Sequence, residues 1–451
     1  MTGQGVRRTA EQVLALAPDE ASRAAGEELG RAGPWSHTGG SASGAVWGSC
    51  EGSGRTPYRT VVDLTGPAYH CSCPSRKFPC KHALGLLLLW AGEGVEEPAE
   101  PPDWAGRWLN DRAAKAARAA AGPAAPVDAE AALRRARRRA ERVTAGAVEL
   151  ERRLADLLRS GLADQERTGS ATWEETAARM VDAQAPGLAA RVRELGEIPG
   201  CGPDRPARML EEFALLHLLN KAWLGVSGLP EPLAATVRSR VGLPTPAGGE
   251  TVRDHWLVLA QYDSVSPDGR LTTRRIWLWG LGSRRPALVL DFGPPGRPPG
   301  VALPVGLALE AEARFRPGSA GLRADLADQA DRAAAAAPAG RAPVGVGTAE
   351  ALAAYGAALR VDPWLESWPV VLGPVIPIPG ESGDGAWQLA DAEGTSALPV
   401  TLAGGGSRSG LWQLAALSGG GPVTVFGECG HRGFTPLTAW HPRTAEVIAL
   451  G

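Results

Sequence analysis

The sequence predicts an α+β chain of several domains: a small N-terminal ββα unit behind a helical lead-in, a central helical region, and a C-terminal β-rich domain with a few helices. Three changes of pattern predict it. Within residues 44–90, short alternating stretches give way to an apolar helix. From about residue 128 to 162, apolar residues return every three or four positions. Beyond the Gly- and Pro-rich stretch 242–249, the period falls to two. A chain of 451 residues is long enough for two or three domains, each with its own core. The pattern divides it into residues 1–92 (with the ββα core at 44–90), a linker at 93–103, a helical region at 104–240 and a β-rich domain at 250–451.

Residues 8–32 read as two short helices. Thr9 and Gln12 form a capping box ahead of Val13, Leu14 and Leu16, and Pro18 opens the second helix, which ends near Gly30–Gly33. Residues 37–56 are rich in Gly and Ser, with one strand at 45–50, and residues 58–64 alternate as its partner. Then comes Tyr69-His70-Cys71-Ser72-Cys73-Pro74-Ser75-Arg76-Lys77-Phe78-Pro79-Cys80-Lys81-His82, whose last twelve positions hold three of the six cysteines and one of the seven histidines. Three thiolates and one imidazole are a complete tetrahedral set for Zn²⁺, with no position left for water, so the centre holds structure and hydrolyses nothing. Cys71 and Cys73, two apart, share one face of an extended strand. Pro74 ends that strand, and Pro79 fixes the chain before a helix starting at Cys80 or Lys81, with Leu84, Leu87, Leu88 and Trp90 as its buried stripe. Folding and metal binding are therefore coupled. Three thiolates on Zn²⁺ leave a charge near −1, which Arg76, Lys77 and Lys81 are placed to offset.

This pattern resembles the SWIM zinc finger, whose signature Cys-x-Cys…Cys-x-His runs from a strand pair into a helix. Residues 47–54 and 57–64 look like that family's preceding hairpin, and Cys73 to His82 is similar to the bacterial members. The resemblance covers residues 8–92. It implies that Cys71, Cys73, Cys80 and His82 hold one structural zinc ion. Bacterial members often accompany AAA+ ATPases and von Willebrand A-type domains, which implies a protein partner. Others occur in Mutator-type transposases and Swi/Snf-type ATPases, which implies DNA as the alternative.

After the linker, Trp104-x-x-x-Trp108-Leu109 starts a helix that Gly122–Pro126 breaks. The long helix that follows carries Leu133, Ala136, Ala140, Val143, Ala147, Leu150, Leu154 and Leu157 on one stripe. Its run Arg134-Arg135-Ala136-Arg137-Arg138-Arg139 invites a phosphate-binding reading, but Glu130, Glu141, Glu149, Glu151 and Asp156 lie on the same helix, which favours a solvated or partner-facing surface. Helices follow at 171–181, 185–195 and 206–224. The last buries Met209, Phe213, Leu216, Asn220 and Trp223, with His217 beside them as an ordinary helix residue. Strands are expected at 255–262, 274–279 and 287–292, with a turn at 264–269, and one or two more at 301–315. Residues 325–337 and 348–363 read as helical and 364–379 as Pro-interrupted. Residues 385–389, 397–402, 410–416 and 422–426 read as short strands.

The remaining cysteines are less telling. Cys50 is either a small buried strand residue or an alternative ligand, and Cys201, in a Pro/Gly loop, is read as inert. Cys429-Gly430-His431 repeats half of the metal motif, but a second centre would need distant ligands such as Cys201 or His441. With fifteen Trp against six Phe and four Tyr, indoles supply core area that Phe usually provides. The net charge of −2 and pI near 6.4 do not mark a nucleic-acid-binding protein. No apolar run reaches membrane-span length, and the cysteine usage fits a reducing, cytoplasmic setting.

The functional expectation is a non-enzymatic, zinc-binding adaptor whose finger docks a macromolecular partner, most simply a protein, through Arg76, Lys77, Phe78 and Lys81. Phe78 serves there as an exposed anchor or as a cap over the zinc. The alternative is DNA binding through Arg55, Arg59, Arg76, Lys77 and Lys81, against which the acidic Glu93, Glu96, Glu97 and Glu100 argue. An enzyme in the C-terminal half is a third reading, but no phosphate-binding Gly loop with its Lys, no Gly-x-Ser-x-Gly and no His-Glu-x-x-His is present, and no small-molecule site is legible.

Overall fold

A computed structural model describes residues 9–14, 16–17, 20–42, 44–52, 56–64, 68–75, 79–120, 129–161, 165–198, 205–244, 249–266, 271–293, 303, 305–326, 337–338, 342–380, 386–402 and 404–451. It is a mixed α and β architecture with three antiparallel sheets. Helices α1 (Ala10–Leu14) and α2 (Glu20–Leu29) lead into a four-stranded meander of β1 (Trp35–Ser41), β2 (Ala45–Cys50), β3 (Tyr58–Asp63) and β4 (Ala68–Cys71), and then into α3 (Lys81–Ala91). Alternation sorts the side chains of this meander. Val46, Cys50, Val62 and Tyr69 face α3 and join Leu84, Leu86 and Leu87 in one buried cluster. Ala45, Trp47 and Val61 turn the other way and meet Ala105, Trp104 and Trp108 of α4 (Asp103–Ala120).

Two parts of this unit go beyond the sequence reading. Strand β1 lies in the stretch that reads as a Gly/Ser loop. Its glycines make room for neighbours: a Cβ on Gly39 would sit 2.8 Å from the Trp47 indole, and one on Gly40 2.4 Å from the Glu97 side chain. Residues 93–102, poor in apolar side chains, nonetheless run along β1. The Gly40 N–H donates to the Glu96 carbonyl (2.9 Å), the Ala99 N–H donates to the Gly40 carbonyl (2.8 Å), and the Trp90 indole donates to Glu97 Oε1 (2.7 Å). Val95 is buried beneath.

The central helices are α5 (Ala129–Ser160), α6 (Gln165–Asp182), α7 (Pro186–Glu197), α8 (Arg205–Leu224) and α9 (Glu231–Val241). Their shared core holds Val143, Ala147, Leu150 and Leu154 from α5, Trp173 and Met180 from α6, and Met209, Phe213, Leu216 and Trp223 from α8. Asn220, fully buried, donates to the Ala147 carbonyl (3.0 Å) and Glu151 (3.0 Å). The expected α5 stripe is corrected at its start. Leu133 is 71% exposed and Ala136 is exposed, because the first turns of α5 precede the packed part of the bundle. Within the arginine run, Arg134 pairs with Glu130 (2.6 Å), and Arg139 donates to the carbonyls of Gly242 (3.0 Å) and Gln184 (3.5 Å).

The C-terminal region holds two sheets. Strands β5 (Thr251–Val265), β6 (Thr272–Gly280), β7 (Pro286–Gly293), β8 (Leu307–Phe315), β9 (Ala324–Leu326) and β10 (Ala337–Pro338) order as β10-β8-β5-β6-β7, with β9 on β8. After α10 (Thr348–Leu359) come β11 (Ser367–Ile378), β12 (Gln388–Asp391), β13 (Ala397–Pro399), α11 (Arg408–Ser418), β14 (Val423–Gly430), β15 (Gly433–Trp440) and β16 (Val447–Ala449), ordered β13-β12-β11-β14-β15-β16. Both sheets follow one path. A three-strand meander runs outward, and the fourth strand returns to the free edge of the first. The sheets meet through Leu257, Leu259 and Trp277 on one side and Val371, Phe426, Leu437 and Trp440 on the other. Glu428 crosses the junction, accepting from the Trp277 indole (2.7 Å), the Tyr262 hydroxyl (2.5 Å) and Ser367 (2.6 Å).

Several expectations are corrected here. Residues 410–416, expected as a strand, lie in α11: Leu411, Leu414 and Ser418 are buried at helical spacing, and Ser407 caps the start by accepting the Gly410 N–H (2.9 Å). Residues 364–379 contain the long strand β11, whose irregularity at Gly373-Pro374 is absorbed between Leu372 and Val375. The helix expected at 325–337 has strands at its ends, β9 and β10, while residues 327–336 lie outside the described residues. The break at 122–126 and the second half of the turn at 264–269 also lie outside them. No described helix is long and apolar enough to cross a membrane.

Candidate metal centre

Register builds the centre. In the β3–β4 ladder Thr60 stands opposite Cys71, so Tyr58, Thr60 and Val62 of β3 share the α3-facing side with Tyr69 and Cys71 of β4. Arg59, Val61 and Asp63 point to the opposite side. There Arg59 lies over the Trp104 ring (5.9 Å), and Asp63 pairs with Arg112 (2.6 Å). The ladder ends sooner than expected: β4 stops at Cys71, and Cys73 sits in the bend that follows. The Ser72 N–H donates to the Arg59 carbonyl, and its hydroxyl accepts the Arg59 N–H (both 3.0 Å), after which Pro74 has no N–H to continue the pairing. The two cysteines therefore converge by a turn of the chain and not by strand alternation.

Cys80 and His82 arrive from the other direction. Cys80 is the N-cap residue of α3, extended at φ −72° and ψ 165°, and His82 lies on the first turn. Both are buried, at 1% and 4% exposure. The ligand atoms of Cys71, Cys73, Cys80 and His82 all lie within 4.8 Å of one another, with Cys71 Sγ and His82 Nδ1 3.7 Å apart. Zn–S bonds of about 2.3 Å and Zn–N bonds of about 2.0 Å require a set of this size and composition. The four residues fit one structural zinc ion, and four protein donors leave no coordination position for a substrate.

The electrostatics of the metal-free cluster show what the ion must overcome. Hydrogen bonds from Cys71 and then Cys80 hold the Cys73 thiol far below its ordinary range, helped by His82 and the Ser75 N–H. Cys80 is driven strongly upward by hydrogen bonding to Cys71 and Cys73 and by burial. Burial opposes protonation of His82, but hydrogen bonds to Cys71 and Cys73 and their charge outweigh it and raise the imidazole to about 9. A dication reverses this by taking all three thiolates and a neutral imidazole. The positive end of α3 at Cys80 further favours the resulting negative centre.

Other candidates fall elsewhere. Lys81 is exposed on the first turn of α3, while Arg55, Arg76, Lys77, Phe78 and Cys201 lie outside the described residues. Cys50 is buried on the same sheet face, donates weakly to the Glu51 carbonyl (3.5 Å) and is pushed up to about 11 by burial and the nearby Cys71. It is not part of the four-donor group. Cys429 is buried on β14, its thiol pushed up to about 11 by burial. His431 turns to the bundle, with Nε2 3.1 Å from Glu211 and Nδ1 3.5 Å from the Tyr355 hydroxyl. His217 pairs with Glu151 (3.4 Å), and His441 accepts the N–H groups of Arg443 and Thr444.

The sequence reading missed the groups around the ligands. Thr60 donates to Cys71 Sγ (3.2 Å), and the Tyr58 ring lies 4.9 Å from that of His82. On the far face, the His70 ring stacks on Trp108 at 6.1 Å. The usable signal was alternation, which places Tyr58 and Thr60 on one face once the β3–β4 register is known.

Residues 58–91 match the family model of the SWIM zinc finger, and residues 138–241 match that of the SWIM-associated four-helix bundle domain. No curated protein and no solved structure matches the chain. From β3 through α3 the protein is therefore a SWIM zinc finger, and from within α5 to the end of α9 it carries the bundle associated with that finger.

Proposed function

We propose that the chain is a non-enzymatic adaptor whose zinc finger docks a protein partner, with the bundle and the paired sheets as its scaffold. The observation that carries this reading is the closed donor set between the end of a sheet and the start of α3, in a finger whose sheet is covered on both faces. The metal has no coordination position for chemistry, and Ser72, Pro74 and Ser75 beside the ligands are exposed. Lys81 is exposed on the first turn of α3, and the basic Arg76 and Lys77 with the aromatic Phe78 join the ligand pairs in sequence. The resemblance to bacterial SWIM proteins points to an AAA+ or von Willebrand A-type system as the partner class.

Protein is favoured over nucleic acid by charge and cover. Arg59, one of the cations a phosphate-binding finger would use, lies on the α4 side over Trp104. The segment beside β1 exposes Glu93, Glu96 and Glu100, which repel a polyanion. The first test is metal content: one tightly held zinc per chain in the wild type, lost or weakened in His82→Ala. A mobility-shift titration of the zinc-loaded chain with duplex and single-stranded DNA follows, as a salt series. No shift at physiological salt is expected. A shift that persists there and is abolished by Lys81→Glu overturns the protein reading. With no shift, a photo-crosslinking side chain at position 81 should capture a polypeptide in the native host.

A further inference from the structure

We propose that Thr60 is a positioning residue of the metal centre, donating its hydroxyl proton to the Cys71 thiolate and so fixing and strengthening that ligand for zinc. The inference rests on the metal-centre reading but concerns a residue outside the four ligands. Thr60 is completely buried. Its hydroxyl donates to Cys71 Sγ at 3.2 Å. A buried hydroxyl left unpaired loses its hydration without replacement. A neutral thiol is a weak acceptor and offsets little of that cost, whereas a thiolate is a strong one. The placement of Thr60 therefore fits a sulfur held permanently in its charged, metal-bound form.

The register makes the contact obligatory. Thr60 and Cys71 are direct cross-strand partners on one face, and Thr, branched at Cβ, has few rotamers with which to turn away. Cys73 has an equivalent donor in the Ser75 N–H. Two of the three thiolates thus receive a proton donor from outside the ligand set, which spreads the net negative charge of a three-thiolate zinc centre. Cys71 takes its donor from a strand and Cys73 from the adjoining loop, so Thr60 is the donor that a side-chain substitution can remove.

The test uses the full chain. Thr60→Val keeps the volume and the β-branching while removing the proton, and Thr60→Ser restores the proton with a smaller side chain. Zinc affinity is read by competition with a chelator at fixed pH, and the thiolate-to-metal charge-transfer band by Co²⁺ substitution. Thr60→Val should weaken zinc binding about 10- to 100-fold, the usual effect of losing such a donor, and should shift the Co²⁺ band. Thr60→Ser should behave like the wild type in both readouts. Thr60→Val within twofold of wild type with an unmoved band overturns the proposal. So does Thr60→Ser as weak as Thr60→Val, because a retained hydroxyl would then fail to retain the affinity and any change at this buried position would suffice. A wild type that holds no zinc overturns the metal-centre reading itself, before any variant is compared.

Discussion

At the scale of single residues, the finger is a contest between protons and a metal ion for the same four side chains. Hydrogen bonding within the cluster lowers the Cys73 thiol and raises that of Cys80, and His82 keeps a proton up to about 9 because the cysteines beside it favour the imidazolium. The sign of the pH dependence follows. The His82 contribution to the metal-free fold is fully present below its ordinary value of 6.5 and is lost as pH rises through about 9. Zinc needs the deprotonated set, so its binding strengthens over the same window and releases protons. The thermal stabilisation of the zinc-loaded over the chelator-treated chain should therefore widen steadily from pH 6.5 to 9. A gap that narrows with pH would contradict the raised His82 value. Cys50 and Cys429, both buried with thiols pushed up to about 11, should stay unreactive toward a maleimide at neutral pH until the chain is unfolded.

At the scale of elements, close approach decides what can be exchanged. Helix α3 is buried almost all round because α2 crosses it on one side and the meander covers the other. The crossing works through small residues: a Cβ added to Gly85 would lie 2.5 Å from the Leu29 Cβ and 3.1 Å from its backbone. Gly85→Ala should destabilise the finger by about 1–3 kcal/mol, as overpacking does, measured as a lower melting point of the zinc-loaded chain. The same close packing explains what the sequence showed and what it hid. The metal ligands were legible because their chemistry is local and their spacing short. The buried face of α8 was legible because Met209, Phe213, Leu216, Asn220 and Trp223 repeat with one helical period. Strand β1 was hidden because its glycines, needed for contact with Trp47 and Glu97, look like a loop. Helix α11 was hidden because Leu411 and Leu414 span too short a stretch to separate period two from 3.6. The exposure of Leu133 depends on where the neighbouring helices end, which no local pattern reveals.

At the scale of the whole molecule, the contacts fall into two groups that need not melt together. The finger sheet is tied to residues 93–102 through Gly40, Val95 and Trp90, and to α4 through Trp47, Trp104, Trp108 and the Arg112–Asp63 pair. The bundle is instead locked to the C-terminal sheets. Trp364 inserts into the bundle core and donates to the Leu215 carbonyl (3.0 Å), while the fully buried Asp362 pairs with Arg240 of α9 (2.7 Å). His431 and Arg432, in the turn between β14 and β15, reach Glu211 and Glu212 of α8. Arg240→Ala would leave the Asp362 carboxylate buried without its partner, so it should cost the bundle and sheets about 3–5 kcal/mol in urea denaturation while leaving zinc content unchanged. Cys73→Ser or chelation should act on the other group alone. Amide exchange should accelerate across β1–β4, α3, residues 93–102 and the first turns of α4, and stay slow through α6–α9 and both C-terminal sheets. Exchange that accelerates throughout would mean that the zinc ion sustains one cooperative core, and that the finger is a structural keystone of the scaffold it was inferred to stand apart from.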